Sequence, residues 1–365
     1  MKEKVRIGII GTGQIGKVHL QRYSEIPEVE VVAACDIRED ELDRVAAQYK
    51  IPNTYIDYHD LLARDDLDSV DICLHNFLHA RVTIDVLESG KNAYCEKPMS
   101  WTYAGSKAMY EAAQRTGKML HIQLGTLYKP ETKAAKRLME ASCLGKLYYA
   151  KSYTYRRRNR PFVDGYGKQE FVSTETAGGG TMLDMAIYSL GRLMYLLDCP
   201  EVISVSGATY DETGMYEDRR KISGYNVEEL GIGLVRLAGG IMLNLESSWA
   251  IHAGEPEGDH LMGSKGGIRL EPFTYYTTMG DMEMDATFDL KTADWRWHQV
   301  DPSVEGYDDS QKHWVWAQLG RVPLLDTARY ALQASKITEG VYMSAQRGCE
   351  VSGEEIELAT AEARK

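Results

Sequence analysis

The feature that most constrains this chain is Gly11-Thr12-Gly13-Gln14-Ile15-Gly16, set between an apolar run, Val5–Ile10, and a stretch with helical spacing that continues to Tyr23. A second apolar run, Val29–Cys35, follows and is closed by Asp36. A buried strand, a glycine-rich turn, a helix and a second strand make a βαβ unit. Gly11 allows the tight turn, Gly13 lets backbone approach a pyrophosphate, and Gly16 lets the helix lie close to the strand. The helix N-terminus offers amides and a positive dipole end to phosphate. Asp36 falls twenty residues past Gly16, where a carboxylate accepts hydrogen bonds from a ribose. The pattern predicts a dinucleotide site, and Asp36 favours NAD over NADP by repelling a 2′-phosphate, a repulsion that Arg38 partly offsets. The site as read comprises Gly11, Thr12, Gly13, Gln14, Ile15, Gly16, Asp36, Ile37 and Arg38. On the helix, Ile15, Val18 and Tyr23 fall on one side and form its expected apolar face.

Bulk properties exclude several classes. A formal net charge of −12 argues against a nucleic-acid partner. No apolar run is long enough to span a bilayer, and Met1–Lys4 leads straight into the first strand without a signal-peptide core. Six scattered cysteines, without a C-x-x-C, read as free thiols in a reducing compartment. No histidine has cysteines or acids at metal-ligand spacing, so no metal is expected. A cytoplasmic protein is the simplest reading.

At 365 residues the chain is expected to form two domains, 1–126 and 127–365, with C-terminal helices packing back on the first. From Glu39 to Gly125 helix and strand alternate, which predicts right-handed crossovers and a doubly wound parallel sheet. Ligands bind such sheets at the carboxyl ends of the strands. That singles out His75-Asn76 and Glu96-Lys97-Pro98 beside the glycine turn. After Gly125 the chain reads as a helix over Pro130–Cys143, a strand over Leu147–Arg157 and a helix over Thr181–Leu197. A run of strands follows: Val202–Tyr210, Glu228–Leu237, Ile241–Ile251, Asp259–Gly263 and Ile268–Glu271. Gly239-Gly240 and Lys265-Gly266-Gly267 read as hairpin turns. Helices return at Asp309–Leu319 and Asp326–Gln346. The second part is thus expected to be a mostly antiparallel open sheet covered by helices on one face.

Five signals in this order resemble the glucose–fructose oxidoreductase/inositol dehydrogenase (Gfo/Idh/MocA) family. They are Gly11–Gly16 with Asp36; His75-Asn76-Phe77-Leu78-His79; Cys95-Glu96-Lys97-Pro98; Gly178-Gly179-Gly180 with Leu183-Asp184-Met185-Ala186-Ile187-Tyr188; and the C-terminal pattern Gly340-Val341-Tyr342-Met343-Ser344-Ala345. The resemblance implies a Rossmann domain followed by a substrate-binding and oligomerisation domain, and a homodimer or homotetramer through the open sheet. It implies cofactor contacts from His75, Asn76, His79, Glu96 and Lys97 as well. Tyr188 departs from most members, which carry histidine there, and matches the glucose–fructose oxidoreductase branch. His75 stands where a proline or small residue is usual.

The chemistry is consistent with that resemblance. Taking a hydride from a secondary alcohol requires a group that accepts the hydroxyl proton. A tyrosine of ordinary pKa, about 10, is a weak base, and a nearby ammonium such as Lys97 favours its phenolate. Lys97 and Tyr188 are therefore the expected acid–base pair. Asp184, four residues before Tyr188 on one helix face, is expected to hold a neighbouring hydroxyl. Arg156 and Trp297 are further substrate candidates, for an acidic group and for ring stacking respectively. The expected substrate is a sugar, cyclitol or glycoside lying between the domains. Two alternatives stand beside an ordinary dehydrogenase. One is a glycoside 3-oxidase or redox-cycling glycosidase that recycles bound NAD, and the other is a non-catalytic NAD sensor.

Overall fold

The computed structural model describes residues 3–362, which form two compact units. The first unit comprises the residues through Ser100, Gly105–Gly125 and Trp297–Ala328. Its elements in chain order are β1 (Val5–Ile10), α1 (Gln14–Ser24), β2 (Val29–Cys35), α2 (Glu39–Tyr49), β3 (Thr54–Tyr55), α3 (Tyr58–Leu62), β4 (Ser69–Ile72), α4 (Asn76–Glu88), β5 (Asn92–Cys95), α5 (Tyr103–Thr116) and β6 (Leu120–Ile122). The six strands lie in the order β3-β2-β1-β4-β5-β6, every neighbouring pair parallel. This is the doubly wound sheet, with its switch point between β1 and β4. Ile9, Leu20, Ala34, Leu42 and Val45 form its core on one face, each large side chain contributing roughly 1.5–3 kcal/mol by leaving water.

Helix α1 does not bury the face expected of it. Ile15 and Val18 are exposed, while Gly16, His19, Leu20 and Tyr23 point inward. The glycines decide this rotation. A Cβ on Gly16 would sit 2.1 Å from Gly11 O, so only glycine lets the helix approach the turn on that side. Gly11 itself has φ +95, and a Cβ there would meet Cys73 O at 2.2 Å. Helix α4 begins at Asn76, directly after His75.

The second unit comprises Trp101–Ala104, Thr126–Arg296 and the residues from Arg329 onward. It contains α6 (Pro130–Glu140), β7 (Leu147–Tyr155), α7 (Thr174–Ala177), a π-helical turn (Met182–Ala186), α8 (Ile187–Leu196), β8 (Val202–Tyr210), α9 (Glu217–Ser223), β9 (Leu230–Leu237), β10 (Ile241–Ser248), β11 (His260–Gly263), β12 (Gly266–Arg269), β13 (Thr274–Met279) and β14 (Met282–Ala286). Helices α10 (Leu290–Val300), α11 (Ser310–Gln318) and α12 (Thr327–Arg347), the short β15 (Val351–Ser352) and α13 (Gly353–Glu362) complete the chain. The sheet runs β14-β13-β12-β11-β7-β10-β9-β8-β15 and is antiparallel except for β10 against β7. One face carries Ile232, Leu234, Met242, Tyr149 and Met262 at least partly exposed.

Two expectations change here. Gly266 and Gly267 belong to β12 rather than to the turn, because Gly266 lies under the Tyr275 ring, where a Cβ would be 2.6 Å from Cε2. The Thr181–Leu197 helix is interrupted by the π-helical turn over Met182–Ala186. Among the described residues no helix is long and apolar enough to cross a membrane.

Candidate active site

The cofactor residues of the first unit gather at the carboxyl ends of β1, β2, β4 and β5. Gly13 caps α1 without a side-chain hydrogen bond, and the helix's first turn carries no acid. A Cβ on Gly13 would meet nothing within 4 Å, so open space lies over the turn. An uncapped helix end facing space is what a pyrophosphate requires. Asp36 accepts hydrogen bonds from the Thr12 amide (2.8 Å) and hydroxyl (3.1 Å), which fixes the carboxylate at the edge of the turn. Its second oxygen accepts the Arg38 amide at 3.0 Å. Ile37 beside it is 85% exposed, an apolar surface suited to a base ring. These residues fit a dinucleotide.

Past β4 and β5 the picture is tighter. His75 is exposed and Asn76 and Lys97 are half-buried. His79, expected at the cofactor, is instead fully buried, its imidazole lodged between Pro98 O (2.7 Å) and Leu74 O (3.0 Å). Glu96 is also buried and turns inward. It meets His19 at 2.7 Å, a residue to which the sequence assigns no role. His19, Asp71 and Cys73 converge beneath the glycine turn although 52 residues separate the first two in sequence.

The second unit holds a cavity of about 570 Å³, within the usual span of about 300–1,000 Å³ for ligand pockets. Asp184, Tyr188 and Arg156 all line it, together with Lys129, Tyr153, Tyr155, Tyr166, Arg192, Asp259 and Glu271. Across Thr181–Met194 every residue is buried except Asp184 and Tyr188. A helix buried on nearly all sides thus opens to the cavity through one carboxylate and one phenol. The π-helical turn carries Asp184, and single π-turns inside helices recur at functional sites. The indole Nε1–H of buried Trp249 donates to Asp184 Oδ2 at 3.0 Å and fixes the carboxylate. Thr126 donates its hydroxyl to Tyr188 O at 2.9 Å, anchoring the helix where the phenol leaves it.

The far wall is ionic. Arg192 donates to Asp259 Oδ2 (2.6 and 3.1 Å) and to Glu271 (3.1 and 3.2 Å), while Lys129 reaches Glu271 at 2.8 Å. Burial opposes ionisation of Glu271, but Arg192 and Lys129 outweigh it and bring the carboxyl down to about 2. These residues were missed from sequence, although Arg192 stands one further turn beyond Tyr188 on the same helix. Arg156 stacks on Tyr166 (5.2 Å to the ring centre). Arg160 is fully buried against Glu229 and Asp164 and is structural. Trp297 lies half-buried in α10, a helix the sequence reading did not assign.

A doubly wound unit built for a dinucleotide, joined to a mixed sheet carrying a polar cavity, defines an NAD-binding oxidoreductase. The comparisons agree. Residues 5–124 match a model described as an oxidoreductase family with an NAD-binding Rossmann fold, and residues 132–269 match the Gfo/Idh/MocA C-terminal domain. The chain belongs to the Gfo/Idh/MocA oxidoreductase family. It is 30% identical to D-glucoside 3-dehydrogenase of Escherichia coli (strain K12) over 75% of this chain and 79% of that one. To myo-inositol 2-dehydrogenase of Thermotoga maritima it is 24% identical over 72% of this chain and 74% of that one. In fold it is similar to levoglucosan dehydrogenase in complex with NADH, with a TM-score of 0.76 at 18% identity, covering 96% and 99% of the two chains.

Proposed function

We propose that this protein moves a hydride between NAD and a secondary hydroxyl or ketone of a sugar, cyclitol or glycoside. The observation that carries the reading is that Asp184 and Tyr188, the two unburied residues of the stretch Thr181–Met194, both line a cavity sized for a ring polyol. Bound NAD supplies the hydride acceptor. The chain's own groups do the rest. Tyr188 takes the proton from the hydroxyl that becomes a carbonyl, and the Lys97 ammonium offsets negative charge as it develops on that oxygen. Asp184, held by Trp249, accepts a hydrogen bond from a neighbouring hydroxyl and sets the ring's orientation. Arg156 meets a polar or acidic substituent further along the wall. The names of the two relatives, a glucoside and an inositol dehydrogenase, support a ring polyol as substrate class.

Incubating the purified protein with NAD and a panel of methyl glycosides, inositols and free sugars tests this. NADH is expected with at least one of them. Lys97→Met and Tyr188→Phe are each expected to lower kcat by about 10²–10⁴-fold when measured at saturating NAD. Normal turnover in both variants would overturn the assignment.

A further inference from the structure

His19 is 1% exposed, and both of its ring nitrogens face carboxylates. Nδ1 lies 2.8 Å from Asp71 Oδ2 on β4, and Nε2 lies 2.7 Å from Glu96 Oε1 at the end of β5. The Cys73 thiol adds a contact to Asp71 Oδ1 at 3.4 Å. Asp71 and Glu96 are themselves buried, at 0% and 7% exposure. A neutral imidazole carries one N–H and can donate to only one of these acids, whereas an imidazolium donates to both. Two carboxylates facing each other in the interior without a cation would be strongly unfavourable. Burial opposes protonation of His19, but the Asp71 charge beside it prevails and holds the imidazole pKa well above its ordinary value. Burial likewise works against ionised Glu96, and its hydrogen bond to His19 reverses the balance and lowers that carboxyl.

The second oxygen of Glu96 accepts the main-chain N–H of Lys97 at 3.0 Å. One residue further, Pro98 O is held by buried His79 at 2.7 Å. We infer that His19 is a positioning residue for Lys97: its imidazolium, clamped between Asp71 and Glu96, fixes the carboxylate that fixes the Lys97 backbone. His79 grips the same segment from the other side. Two histidines, one from α1 and one from α4, thereby set where the Lys97 side chain leaves the sheet. His19 is buried beneath the strand ends and acts only through Glu96. The inference rests on the reading of Lys97 as a residue of the proton-transfer step.

The test is a set of variants read by kcat and by NAD affinity separately. His19→Gln removes the cation and is expected to lower kcat by about 10²-fold, the scale of a displaced catalytic group, with the NAD Kd unchanged. In the double variant His19→Gln/Glu96→Gln the amides can bond without charge repulsion, and kcat is expected to recover in part. A merely structural role predicts the opposite pattern: kcat and NAD affinity falling together, and a second substitution deepening the loss. Unchanged kcat in His19→Gln, or no recovery in the double variant, overturns the inference. If His19→Gln does not fold, Glu96→Gln alone decides. An amide leaves one acceptor oxygen where His19 and the Lys97 N–H now take one each, so reduced kcat with intact NAD binding supports the inference and normal kcat rejects it. Lys97→Met is the control. Normal turnover there removes the proposed function itself, whereas an inactive Lys97→Met beside a fully active His19→Gln removes only this inference.

Discussion

Asp184 shows how one carboxylate can open to a cavity yet not be free to move. With Tyr188 it is one of two unburied residues across Thr181–Met194, and its Oδ2 is tied to the Trp249 indole. Asp184→Asn keeps the shape and an acceptor for the indole but loses the charge. A hydrogen bond to a charged group is worth about 1.5–3 kcal/mol, so kcat/KM for the polyol is expected to fall by roughly 10–100-fold with NAD affinity unchanged. Steady-state kinetics checks this, and an unaltered kcat/KM would show that Asp184 is only an anchor for Trp249. The pair Asp184 and Tyr188 was legible because both lie on one helix at a spacing of four. Lys97 was singled out because it lies just past the end of a parallel strand, β5. His19 was not, because its partners Asp71 and Glu96 are 52 and 77 residues away. The apolar pattern also placed Ile15 and Val18 inward, and the close approach at Gly16 turned the helix the other way.

Among elements, the π-helical turn over Met182–Ala186 does most to place the site. Its start is held by half-buried Glu228, whose carboxylate accepts the Gly180 amide (2.8 Å), the Met182 amide (3.0 Å) and the Tyr342 hydroxyl (2.9 Å). The approach is so close that a Cβ on Gly180 would lie 1.9 Å from Glu228 O. Burial raises the Glu228 carboxyl, and the amide bonds only partly offset it. Glu228→Gln leaves two acceptor sites on one oxygen for three donors and adds a buried NH₂. The expected cost is about 1–3 kcal/mol, read as a lower urea midpoint. An unshifted midpoint would contradict the claim that Glu228 seats the turn. A helix was legible at this position, but the wider turn was not, since it depends on an acid 48 residues away. The hairpin β13–β14 was missed too, although Gly280 and Asp281, at φ 60 and φ 66, supply the left-handed turn it needs. Its exposed Met279 and Met282 break the alternation by which a half-buried strand is recognised.

At the scale of the whole molecule, the parallel and antiparallel parts were legible from periodicity; C-terminal helices were expected to pack back on the first part, but the bounds of the returning segment, Trp297–Ala328, were not legible. Polar bonds tie it there. Tyr94 donates its hydroxyl to Ser310 Oγ at 2.8 Å, and His121 bonds Ser310 and Thr327, each at 3.1 Å. His313, in the same segment, donates from Nδ1 to Gly306 O (2.9 Å) and accepts the Leu325 amide at Nε2 (2.9 Å). That arrangement requires the neutral ring, and burial pushes its pKa down to about 4. The unfolded chain takes up this proton near pH 6.5. The stabilisation from His313 is therefore complete above about pH 6.5 and is lost as pH falls towards about 4. The stability gap between the wild type and His313→Gln, which does not titrate there, is expected to narrow over this window. Urea titrations at several pH values check it, and a constant gap would contradict it.

Hydride transfer from a ring polyol to NAD is the reaction proposed for this chain. Its most direct test uses a polyol active in the panel, deuterated at the carbon to be oxidised, with the nucleotide recovered and weighed by mass spectrometry. Deuterium in the recovered NADH, absent when Lys97→Met or Tyr188→Phe replaces the wild type, is the predicted result. NAD that binds tightly yet emerges without deuterium under every condition would contradict the account and leave a binding protein in place of an enzyme.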